Sequence, residues 1–132
     1  MKHFLKAAFL MTTLSAGAAQ AEFWDCTVNG KHSGNWIADR VLFNVEKGDA
    51  TVLDGIIKYI KEDWIPAKIN KNSAEKISFS WKVTDIKTTD HDRQVARYSA
   101  QINRADNSVQ VRVRIPGYSY TDRAKGTCEY SK

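Results

Sequence analysis

Between Ile77 and Ile115 the chain repeats one pattern three times, with an apolar side chain at every second position and polar ones between. Only an extended backbone sends alternate residues to opposite faces, so each repeat predicts a strand with one buried side. In the first, Ile77, Phe79, Trp81 and Val83 oppose Ser78, Ser80, Lys82 and Thr84. In the second, Ala96, Tyr98, Ala100 and Ile102 oppose Arg97, Ser99 and Gln101; in the third, Val109, Val111, Val113 and Ile115 oppose Gln110, Arg112 and Arg114.

The connections predict antiparallel pairing. Thr88 to Arg93 is polar, and Ala105-Asp106-Asn107-Ser108 supplies residues that tolerate positive φ. With Asp106 and Asn107 as a tight turn, Ile102 faces Val111, Ala100 faces Val113 and Tyr98 faces Ile115. One strand earlier, Val83 faces Ala96 and Trp81 faces Tyr98.

The first half carries strand-like runs at Phe23 to Val28, Val41 to Val45 and Ala50 to Leu53. The stretch Asp54 to Trp64 suits either a short helix, with Ile56, Ile57, Ile60 and Trp64 near one face, or an irregular strand ended by Pro66. Gly30 to Asn35, Ala67 to Ala74 and Thr88 to Arg93 read as connections too short to divide the chain. The predicted fold class is mainly β: an antiparallel meander curled into a small barrel or sandwich, with room for one short helix.

Residues 1 to 21 have the order of a cleavable signal peptide. Lys2 and Lys6 precede an apolar, small-residue run from Ala7 to Ala19, and Ala19-Gln20-Ala21 suits signal peptidase. That run is too short to span a bilayer, and residue 22 is Glu rather than the cysteine that lipid attachment needs. The expected product is residues 22 to 132, a single β-rich domain of the periplasm or the medium, with no membrane span after cleavage. There, Cys26 and Cys128, the only cysteines, are expected to form a disulfide joining the chain ends.

The formal charge of +5 is unevenly spread: residues 93 to 132 carry eight Lys/Arg against three Asp/Glu, residues 22 to 92 ten against twelve. In the predicted register Lys82 lies beside Arg97, with Ser80, Ser99 and Arg114 in one row and Arg112 and Gln101 in the next. Guanidinium forks among hydroxyls and amides are suited to carboxylate or phosphate, which makes this a candidate anion-binding face. The alternative is a solvated strand face. A second candidate contact is the turn Pro116-Gly117-Tyr118-Ser119-Tyr120, through Gly117, Tyr118 and Tyr120.

Catalytic and metal patterns are not found. Asp90-His91-Asp92 and His32 lack metal-ligand spacing, and His32-Ser33 lacks a nucleophile elbow. Phe79, Trp81 and Tyr98 are allotted to the core, so no nucleic-acid platform is expected. The expected function is a non-enzymatic periplasmic binding or envelope-accessory protein with no cofactor or metal, its partner an anionic small molecule or an envelope protein; the enzyme alternative is a metal- or histidine-dependent activity that His91→Ala would abolish.

Trp36-Ile37, Asp54 with Ile56-Ile57, Phe79 with Trp81, Arg97-Tyr98-Ser99-Ala100, Pro116-Gly117-Tyr118 and Gly126-Thr127-Cys128 together resemble a set of small exported alphaproteobacterial proteins. That resemblance implies a bacterial, extracytoplasmic home and nothing about mechanism. In architecture the chain is also similar to periplasmic inhibitors of c-type lysozyme, which implies a protein-inhibitor or interaction module. It lacks their Ser-Gly-x-x-Tyr loop, so no inhibitory residue carries over.

Overall fold

The structure is a computed structural model that describes residues 21–29, 36–87, 93–116 and 121–132. The expectations for the signal segment, His32, His91 and the Gly117, Tyr118 and Tyr120 turn fall outside those residues.

Eight strands and one helix follow in order: β1 (Glu22–Asn29), β2 (Arg40–Glu46), β3 (Asp49–Asp54), α1 (Gly55–Lys61), β4 (Ile65–Asn72), β5 (Lys76–Lys87), β6 (Arg93–Asn103), β7 (Ser108–Arg114) and β8 (Thr121–Ser131). Every strand pairs antiparallel with its neighbour in sequence, and β8 returns to β1, so the sheet is a closed barrel with no free edge. Closure decides between the barrel and the sandwich that the alternation left open.

The three alternating segments are β5, β6 and β7, with their apolar sides buried. Inside, Phe43 stacks on Phe79 at 4.4 Å and meets Trp81 edge-on at 5.4 Å, while Trp81 stacks on Tyr98 at 5.3 Å. Aromatic side chains therefore fill the barrel's middle. The Tyr98 hydroxyl donates to the Trp36 carbonyl at 2.7 Å, which ties the Trp36–Ile37 segment over one end. Burial, then the nearby Asp54 charge, push the Tyr98 phenol above its ordinary pKa and keep it a donor.

Two expectations are corrected. Ala67 to Ala74 is not a connection: most of it is β4, whose Ile65, Ala67 and Ile69 are only half-buried and whose Pro66 reads as a terminator. The β6–β7 register is displaced by two residues, so that Ile102 faces Val109, Ala100 faces Val111 and Tyr98 faces Val113. The cause is a longer turn. Asn103 Oδ1 accepts from Ala105 N–H, Asp106 Oδ1 accepts from Ser108 N–H, and Asn107 takes a left-handed φ of 58° with its N–H bonded to Asn103 O. A shift of two keeps every side chain on its original face.

The β1–β8 seam closes with Cys26 opposite Cys128, joined as a disulfide across 102 residues. Beside it the backbones approach so closely that a Cβ on Gly126 would overlap the Thr27 carbonyl, which only glycine avoids. The segment left between helix and strand is α1. Asp54 caps it by accepting from Ile57 N–H at 2.8 Å, Ile57 is buried, and Glu62 ends it with a φ of 64°.

Candidate functional site

The outward side chains of β4 to β8 form rows across the sheet, because residues paired in register stand side by side about 4.8 Å apart. One row runs Lys82, Arg97, Arg114, Thr121. The next runs Lys68, Ser80, Ser99, Arg112, Arg123, and the third Lys71, Ser78, Gln101, Gln110, Lys125. All six residues of the predicted face, Lys82, Arg97, Arg112, Arg114, Ser99 and Gln101, thus share one surface. Their neighbours change with the register: Arg114 stands beside Arg97 rather than Ser99, and Ser99 stands beside Arg112.

Like charges are set directly opposite one another in this surface. Lys82 with Arg97, Arg97 with Arg114, and Arg112 with Arg123 are register partners. Such pairs destabilise a sheet by a few tenths of a kcal/mol to about 1 kcal/mol each. No acidic residue offsets them on β4, β6 or β7. On β5 the one carboxylate, Asp85, is held at the strand's far end by Lys61 at 3.0 Å and Arg93 at 3.5 Å. The Lys61 hydrogen bond, then its charge, hold the Asp85 carboxyl below the usual range. On β8, Asp122 is buried and Glu129 lies beyond the third row, beside Asp25. Asp25 is itself forked by Arg40 at 2.7 and 2.9 Å, which lowers its pKa.

Between the charges lies a floor of mostly uncharged side chains. Asn70, Ser78, Ser99, Gln101, Gln110 and Arg112 line a hollow of about 270 Å³. Two features recess it. Serines at 78, 80 and 99 are shorter than the lysines and arginines around them, and β4 bulges between Ile69 and Lys71, which takes Asn70 out of the pairing.

Lys68, Lys71, Arg123 and Lys125 also stand on this face, beyond the residues expected from the sequence. The two lysines lay in a supposed connection. Strand β8 carries a weak apolar signal, because its inward positions are Asp122, Ala124, Gly126 and Cys128; the alternation of Arg123, Lys125 and Thr127 between them was the available clue.

A second hollow, of about 950 Å³, lies where α1 meets the end of β5, lined by Trp36, Ile56, Tyr59, Ile60, Asp85 and Lys87, among others. Tyr59 is 90% exposed there. Among the described residues no group of three or more His, Cys, Asp or Glu is placed to hold a metal. Compared with known families, with characterised proteins and with solved structures, the chain matches none.

Proposed function

We propose that this is an exported, non-enzymatic binding protein whose outer β4–β8 face receives an anionic ligand. The observation that carries the reading is the set of directly opposed like-charged pairs with, among the described residues, no carboxylate between them. A face that served only solubility would gain by mixing signs. Repulsion retained in the free protein is instead relieved when an anion sits between the guanidinium forks.

Export is supported from three sides. The 1–21 segment has a signal peptide's order, β1 starts at Glu22 immediately after the expected cleavage point, and the disulfide suits an oxidising compartment. No helix among the described residues is long and apolar enough to cross a membrane. The barrel's outer β4–β8 side is charged and hydroxylated where a lipid-facing barrel carries an apolar band. Mass spectrometry of the exported product tests the cleavage: a mature chain starting at Glu22 is expected, and a retained leader refutes it.

Thermal shift with tripolyphosphate and citrate tests the binding. A ligand at 100 times its Kd stabilises by about 2.7 kcal/mol, equivalent to roughly ten degrees in a domain of this size. The shift is expected to shrink with salt and to vanish in Arg112→Gln/Arg114→Gln. If the double variant responds like the wild type, this face is not the site.

A further inference from the structure

Resting on that reading, we infer that the ligand class is an acidic saccharide, seated with one sugar ring in the Ser/Asn/Gln hollow and its charged substituents on the surrounding lysines and arginines. The floor and the rim make different demands. Ser78, Ser99, Asn70, Gln101 and Gln110 present hydroxyls and amides that both donate and accept, which is the chemistry of a ring carrying several hydroxyls. Arg112 belongs to floor and rim together, with Arg123 next to it in register, while Lys68 and Lys71 bound the opposite side on β4. A hollow of about 270 Å³ is close to the lower limit of small-molecule sites, which suits one ring-sized unit, the rest of the chain lying along the rim.

Other polyanions use less of this surface. A phosphate chain would engage the rim and accept from the floor's hydroxyl and amide donors, but, carrying no donors of its own when ionised, it would leave the floor's acceptor oxygens unmet. Single-stranded nucleic acid needs an aromatic platform, and the aromatic residues of β5 and β6, Phe79, Trp81 and Tyr98, are buried inside the barrel. A bilayer surface needs apolar side chains to insert, and the exposed large hydrophobics among the described residues, Tyr59 and Tyr130, belong to α1 and the end of β8. Hydroxylated rings bearing carboxylate or sulfate satisfy floor and rim at once.

The test is calorimetric titration of the mature, oxidised protein with four probes: oligogalacturonate, a heparin-derived oligosaccharide of similar length, inorganic polyphosphate and neutral dextran. At least one acidic saccharide is expected to bind about tenfold more tightly than polyphosphate, with dextran not binding. The carboxylated and sulfated arms identify the substituent. Ser99→Leu fills the floor without changing charge, and is expected to remove the saccharide's advantage while leaving polyphosphate within about twofold. Gln101→Leu repeats the test on the same strand if Ser99→Leu does not fold. Polyphosphate binding as tightly as both saccharides, or saccharide binding untouched by the folded floor variant, overturns the inference and leaves the anion reading intact. Failure of every anion to bind removes both.

Discussion

Arg97 stands between Lys82 and Arg114 in register, so reversing its charge should stabilise the free protein while weakening any anion complex. Charges about 6 Å apart in water interact by about 0.7 kcal/mol, and physiological salt, with a Debye length of about 8 Å, reduces this to roughly 0.3 kcal/mol. Arg97→Glu turns two such repulsions into attractions, a change of about 1.3 kcal/mol. The poorer strand propensity of Glu takes back a few tenths, leaving about 1 kcal/mol. For a domain of about 110 residues that raises Tm by about 4 °C. The assay is urea denaturation and calorimetry of wild type, Arg97→Gln and Arg97→Glu in low and high salt. Arg97→Gln should give about half the gain, and 1 M salt, with a Debye length near 3 Å, should erase most of both. A loss of stability in Arg97→Glu at low salt, or a gain indifferent to salt, would refute the argument that these pairs repel.

Removing the seam disulfide in Cys26→Ala/Cys128→Ala should cost about 4–5 kcal/mol, from the roughly 100-residue loop it closes, and denaturant midpoints will measure it. A loss under about 1 kcal/mol would mean that the strands alone hold the seam. Gly126→Ala forces β1 and β8 apart and should cost about 1–3 kcal/mol or more in the same assay, where a neutral result contradicts the close approach. Asp54 separates capping from charge. Burial, outweighing the Ile57 and Ile56 amide hydrogen bonds, raises its folded pKa. Below the unfolded value both states are protonated; as pH rises the unfolded chain ionises first, so this residue's contribution falls until the folded pKa is passed. Asp54→Asn keeps the cap and should gain on wild type progressively from about pH 4 upward, whereas Asp54→Ala should lose about 1 kcal/mol at low pH. An Asp54→Asn difference flat from pH 3 to 7 would count against the buried charge.

What the sequence made legible follows the strength of its periodicity. Strands β5 to β7 carry apolar residues at every second position, so their faces follow from alternation, and the expected β5–β6 pairing of Trp81 with Tyr98 is the one observed. The β6–β7 register did not follow, because a two-residue shift leaves alternation unchanged and only the side-chain caps of Asn103 and Asp106 distinguish the longer turn. Strand β4 was hidden by half-exposed inward residues and a proline, and β8 by small inward ones that fit where the seam is tight. The candidate site inherits this pattern. Its central columns on β5 to β7 were readable, its outer cations were not, and the recessed floor depends on a β4 bulge that no local sequence signal announces.

The most direct test of the binding face is to titrate isotopically labelled mature protein with tripolyphosphate and follow the backbone amide and arginine side-chain resonances. An anion seated on that face should give saturable shifts concentrated at Arg97, Ser99, Arg112, Arg114 and Arg123, weakening as salt is added. Shifts confined to α1, Trp36 and the end of β5, or none at low salt, would contradict it.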